Sequence, residues 1–258
     1  MNPPVSFGGA LPAIDRLRVA EVSADHLLEN RIFSVRTGDI RARPFKMLRS
    51  QLRKIMQARG AKLIGVTSAS PGVGKSFVAA NLAIAMARVA EASVYLIDID
   101  LRRPALGPRF GVTDHPGLQD YLTGVTPNLA DVAVRVNDEQ LALITAQDRG
   151  LASAELLASP QADALFAAAR ALPEESVAIF DMPPIFADDD AVIIAERLDG
   201  VLVVVEDGLT TRKQVQETIR LLQPTPCLGT VLNRYKVGIL DDEYGYNGGY
   251  GYGAYYSS

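Results

Sequence analysis

Cysteine is almost missing from this 258-residue chain: Cys227 stands alone, which excludes a disulfide framework and fits a reducing compartment. Set between Pro226 and Leu228 at the start of an apolar run, it reads as a small buried hydrophobe rather than a nucleophile. Histidine is nearly as scarce, and His26 and His115 are too few and too far apart in sequence to suggest a metal site. No run approaches the roughly 18 apolar residues that a membrane span needs. The first ten residues lack the basic and apolar stretches of a secretory signal, so the expected location is the cytoplasm. Acidic residues are missing locally: between Arg41 and Ala90 there is no Asp or Glu against ten Lys and Arg, although the whole chain is at −4. The remainder is therefore at −14, and this asymmetry points to an anionic partner such as a nucleotide, a membrane face or the acidic side of a sister subunit.

What is present suits one globular domain with extensions, since 48% of residues are hydrophobic and 22% charged. Residues 1–40 show little periodicity and carry Pro3, Pro4 and Pro12, which suggests a partly ordered arm. Phe45, Leu48, Leu52, Ile55 and Met56 then fall at helical spacing, with Lys46, Arg49, Arg53 and Lys54 on other faces, a basic amphipathic helix expected to pack on the domain. Beyond it, strands are predicted at 62–68, 93–99, 141–146, 176–181, 200–206 and 228–233. Helices are predicted at 75–90, 161–171, 189–198 and 211–223, with short turns near 117–123 and 153–158. Runs such as Val201-Leu202-Val203-Val204-Val205 mark strands buried on both faces. The expected fold class is α/β, with a mostly parallel central sheet between layers of helices as a body over residues 41–238. Residues 239–258 differ in kind: Tyr244, Tyr246, Tyr250, Tyr252, Tyr255 and Tyr256 alternate with glycines and no aliphatic stripe, so this tail is expected to be flexible.

The chemistry is concentrated where the strand Leu63-Ile64-Gly65-Val66-Thr67-Ser68 breaks into Ala69-Ser70-Pro71-Gly72-Val73-Gly74-Lys75-Ser76 and an apolar helix follows. Glycines there let backbone N–H groups face phosphate oxygens, and the helix N-terminus adds partial positive charge. Lys75 would reach the β- and γ-phosphates and Ser76 would hold magnesium. Ala69 stands where the first glycine of the usual P-loop pattern belongs. Asp98 and Asp100 end one predicted strand and Asp181 another, so a parallel sheet would bring all three to the P-loop edge, where carboxylates hold magnesium or orient an attacking hydroxyl.

The segments ASPGVGKS, VYLIDIDLRRP and VAIFDMPP together resemble the Walker A, A′ and B motifs of bacterial tyrosine kinases, P-loop enzymes of capsule and exopolysaccharide synthesis. The likeness extends through GLQDYLTG (117–124), SAELL (153–157), LDGVLVVV (198–205) and GTVLN (229–233), covering about residues 40–235, and a tyrosine-rich C-terminus is itself a family trait. It implies a three-layer P-loop NTPase fold, ATP and Mg2+. It places Gly72, Val73, Gly74, Lys75, Ser76 and Phe77 in the nucleotide cradle, with Asn233 where related proteins contact adenine. Catalytic roles fall to Lys75, Asp98, Asp100 and Asp181, Asp98 as base or hydroxyl-orienting group, and metal ligation to Ser76, Asp100 and Asp181. The six tail tyrosines would be phosphoacceptors, modified in trans. Implied partners are a membrane-embedded polysaccharide copolymerase acting as activator, further copies of the chain and a tyrosine phosphatase, with no nucleic acid and a position at the inner face of the cell membrane. The family's Glu-x-x-Arg-x-x-Arg ring contact maps to Arg43, Lys46 and Arg49, without its acidic member. Rival readings are a ParA/MinD-type positioning ATPase, which usually carries a lysine where Ser70 stands, and a catalytically weak nucleotide-binding scaffold of an export complex.

Overall fold

The computed structural model describes residues 10–89, 93–150 and 152–235. In chain order the elements are β1 (Val19–Ala20), α1 (Ala24–Glu29), α2 (Arg43–Arg59), β2 (Leu63–Ser68), α3 (Lys75–Ala87), β3 (Val94–Asp98), α4 (Leu106–Phe110), α5 (Leu118–Leu122), α6 (Leu129–Val132), β4 (Ala133–Val136), β5 (Leu141–Ile144), α7 (Ser153–Leu157), α8 (Pro160–Arg170), β6 (Val177–Asp181), α9 (Asp190–Ala195), β7 (Gly200–Glu206), α10 (Arg212–Leu221) and β8 (Cys227–Asn233). The strands form one sheet in the order β1-β4-β5-β3-β6-β2-β7-β8. Every pairing is parallel except β4 with β5, which is antiparallel. This is the expected α/β P-loop architecture.

Strand alternation sorts the core into two layers. Leu63, Tyr95, Ile97, Phe180, Val201 and Val203 face one side, where α5, α7, α8 and α9 cover them. Ile64, Val66, Leu96, Ile179, Leu202 and Val204 face the other, under α2, α3 and α4. Gly65 in β2 has no room for a side chain, since a Cβ would meet the Met182 thioether and come within 2.7 Å of a Leu198 methyl. Asp199 fixes the entry to β2, accepting the Lys62 and Leu63 amides at 2.8 Å each and pairing with Arg170 at 2.8 Å. The predicted amphipathic helix appears as α2, burying Phe45, Leu52 and Met56 and leaving Met47 exposed.

Two regions go beyond the sequence-based expectation. Residues 10–40, read as a partly ordered arm, are packed against the domain: Leu11, Ile14 and Leu17 join one core layer, Leu27 and Ile32 the other, and β1 extends the sheet. The Tyr95 hydroxyl donates to the Pro12 carbonyl at 2.8 Å. The second is β4, a four-residue strand that turns back against β5.

Candidate nucleotide site

β2 delivers the chain to the P-loop, and the loop is braced from below. The Ser68 hydroxyl donates to the Ser70 carbonyl at 2.7 Å, and the Thr67 hydroxyl to the Pro183 carbonyl at 2.6 Å. Gly72 and Gly74 adopt φ of +80° and +97°, a region that side-chain-bearing residues rarely enter. These two turns aim the loop into α3, whose N-terminus begins at Lys75. Gly72, Gly74, Lys75, Ser76, Phe77 and Asn233 line one cavity of about 440 Å³. Val73 is buried behind the loop, and its carbonyl accepts the Asn233 side-chain amide at 2.8 Å.

The three predicted carboxylates gather beneath this loop without lining the cavity. Asp98 and Asp181 are register partners on the neighbouring strands β3 and β6. Asp98 is fully buried; one oxygen accepts the Ala105 and Leu106 amides at 2.9 Å each, and the other has no partner. Burial first, and the Asp181 charge second, push its carboxyl well above the usual range. Asp181 is pushed up to about 6 by burial, against the opposing pull of Lys75. Asp100 lies 3.6 Å from the Lys75 ammonium and accepts the Arg103 amide at 3.1 Å; burial raises its pKa while Lys75 holds it back.

A divalent cation fits this arrangement. Among the described residues neither buried Asp181 oxygen has a well-formed hydrogen bond, the Ser76 hydroxyl lies near enough to lower the Asp181 pKa, and three crowded carboxylates meet a single close ammonium. Among the described residues no three His, Cys, Asp or Glu side chains form a ready-made metal nest. The ion would therefore rest on Ser76, Asp181 and Asp100 and complete its shell with phosphate oxygens and water, as magnesium does.

Several lining residues were not foreseen. Arg31, Phe33, Arg109 and Arg234 complete the cavity wall. Asn81 on α3 fixes the first two: its side chain accepts the Phe33 and Ser34 amides at 2.8 and 3.1 Å and donates to the Arg31 and Phe77 carbonyls at 2.9 and 3.0 Å. The Phe77 ring packs edge-on against Phe33 and Phe45. Arg109 donates to the Asn30 carbonyl at 2.7 Å, while its buried Nε has no partner among the described residues. Arg102, just after Asp100 in the first carboxylate motif, binds Asp188 and Asp190, and the Ser153 hydroxyl donates to Asp190 at 2.5 Å. The six tail tyrosines lie outside the described residues. Arg49 donates to the Ala85 carbonyl of its own chain at 3.0 Å.

Sheet order, glycine cradle and strand-end carboxylates define a nucleotide-binding P-loop NTPase. The family described as ParA, NUBPL iron-transfer P-loop NTPase, matches residues 60–238. The tyrosine-protein kinase YwqD of Bacillus subtilis (strain 168) is 33% identical over 207 residues, 79% of this chain and 85% of that protein. The tyrosine-protein kinase etk of Escherichia coli (strain K12) is 30% identical over 178 residues, 69% of this chain but only 24% of that protein. Among solved structures, the VpsO kinase domain superposes with a TM-score of 0.66 at 28% identity, covering 82% of this chain and 98% of that one. The chain belongs to the bacterial tyrosine kinases. Among the described residues no helix is long and apolar enough to cross a membrane.

Proposed function

We propose that the chain is an ATP-dependent protein tyrosine autokinase that modifies its own C-terminal tyrosine cluster and regulates exopolysaccharide or capsule synthesis and export. The observation that carries this reading is the convergence of Lys75, Asp100, Asp98 and Asp181 under a glycine cradle at the carboxyl ends of β2, β3 and β6. Phosphoryl transfer asks mainly for positioning and charge neutralisation, which is what such a cluster supplies. The amides around Gly72, Val73 and Gly74 hold phosphate oxygens, and Lys75 offsets their charge. Ser76, Asp100 and Asp181 hold Mg2+, which when bound would neutralise developing charge between phosphates. Asp98 orients or deprotonates the tyrosine hydroxyl, and Asn233 and Phe77 border the nucleoside.

The tail assignment gains support from the other tyrosines. Tyr95 and Tyr121 are buried in the core, and Tyr235 is the one exposed tyrosine among the described residues. Tyr244, Tyr246, Tyr250, Tyr252, Tyr255 and Tyr256 are therefore the natural acceptors, presented to a neighbouring copy. From residue 240 to 258 the chain can span on the order of 60 Å at about 3.3 Å per residue, enough to reach another subunit. A membrane-embedded copolymerase would activate the kinase at the inner face of the membrane, and a tyrosine phosphatase would reset it. Incubation with ATP and magnesium, followed by intact mass before and after phosphatase treatment, tests the reading. Added phosphate that the phosphatase removes supports it, and an unchanged mass rejects it.

A scaffold reading draws on a different feature. Asp98 is sealed from solvent and already engaged by two amides, so a chain that binds nucleotide with little transfer would look similar. Nucleotide affinity with no phosphotyrosine would favour it.

A further inference from the structure

Among the described residues the Ser34 hydroxyl has no hydrogen-bond partner. The residue is 5% exposed, and its amide is bound by Asn81. It lines a cavity of about 280 Å³ with Thr37, Lys46, Arg49 and Arg88, none of which lines the nucleotide cavity. Three cations and two hydroxyls meet there, and no carboxylate is among the described lining residues. Two of the cations are held in place: Arg49 donates to the Ala85 carbonyl at 3.0 Å, and Arg88 binds Glu139 at 2.7 and 2.9 Å. Glu139 offsets Arg88, and among the described residues no carboxylate pairs with Lys46 or Arg49. Burial and the nearby Arg53 charge lower the Arg49 pKa, as expected where positive charge is crowded and short of counter-charge.

We propose that this cavity is an oxyanion site, distinct from the nucleotide cradle, that takes the dianion of a phosphate or a phosphate monoester. The fit is one of complementary chemistry. Ammonium and guanidinium groups only donate and hydroxyls can donate, whereas a phosphate offers charged acceptors on every side. A charge of about −1.5 to −2 near neutral pH matches Lys46 and Arg49 together. The volume lies at the small end for ligand pockets, suited to a phosphoryl group with a short stem rather than a nucleotide. The site does not depend on phosphoryl transfer by this chain, so it stands or falls separately from the kinase reading.

The test is calorimetric titration of the full chain with its nucleotide cradle saturated by ADP and Mg2+, using inorganic phosphate in one series and phosphotyrosine in another. Saturable binding is expected, weakened about tenfold or more by Lys46→Met and several-fold by Ser34→Ala. Ser34→Ala deletes a hydroxyl without a partner, so it should melt no lower than wild type and separates lost affinity from lost folding. Tighter binding of phosphotyrosine identifies a monoester site, and equal binding identifies a free-phosphate site; both sustain the proposal. No saturable binding at millimolar ligand, or affinity unchanged in both variants, overturns it.

Discussion

Asn233, the last residue of β8, donates its side-chain amide to the carbonyl of Val73 in the P-loop at 2.8 Å, across 160 positions of sequence. The contact is close enough that a Cβ on the next residue, Gly74, would collide with the same amide nitrogen. Loop conformation and the end of the sheet are therefore set together. Gly74→Ala should lower nucleotide affinity more than tenfold, because it adds backbone strain of about 1–3 kcal/mol at φ +97° to that collision. Asn233→Ala alone should cost only about 1 kcal/mol of stability. The double variant should melt higher than the sum of the two losses allows, since removing Asn233 clears the space. Strict additivity in a melting cycle would show that the collision does not occur.

Asn81 makes four hydrogen bonds from a fully buried side chain. Asn81→Ala leaves two amides and two carbonyls short of partners and should destabilise the protein by about 2–4 kcal/mol. It should also weaken nucleotide binding, because Arg31 and Phe33 lose their anchor to α3. Denaturant unfolding and nucleotide titration read the two effects. A stable variant with undiminished affinity would remove residues 31–34 from the site.

Asp98 should make the nucleotide-free protein sensitive to pH. Its folded pKa is raised by burial and by Asp181, so the folded state keeps a proton that the unfolded state has lost. The stabilisation this brings is full below the unfolded value of about 3.9 and is lost as pH rises through the folded pKa. Asp98→Asn can still accept the Ala105 and Leu106 amides while removing the charge. The variant should gain on wild type as pH increases from about 4 toward 8, in chelator and without nucleotide. Melting curves across that range check it. A difference between the two proteins that stays flat with pH would contradict the assignment.

The parts of the fold legible in sequence are those whose cause is local. Leu63–Ser68, Val94–Asp98, Val177–Asp181 and Gly200–Glu206 are short apolar runs buried on both faces, and each appears as a strand within a residue or two of its expected bounds. The P-loop glycines were readable because a phosphate cradle needs their backbone freedom. Val19–Ala20 was not: two residues carry no period, and the strand exists because β4 offers a parallel partner. Arg31, Phe33 and Arg109 escaped for a similar reason. They reach the nucleotide cavity through the Asn81 clamp and the Asn30 carbonyl, long-range contacts without a motif. Arg102 followed a recognisable motif, yet its partners Asp188 and Asp190 come from the far side of β6 in sequence. The tail tyrosines lie outside the described residues.

Phosphoryl transfer from ATP to the tail is read out by the intact mass of wild type beside that of Lys75→Met. Lys75 is nearly buried and pairs with Asp100 at 3.6 Å, so its loss should leave a folded chain unable to neutralise the phosphates. After incubation with ATP and magnesium, wild type should gain phosphate-sized increments that a tyrosine phosphatase removes, mapping between Tyr244 and Tyr256, and Lys75→Met should gain almost none. No increment in wild type, or equal increments in both proteins, would contradict the account.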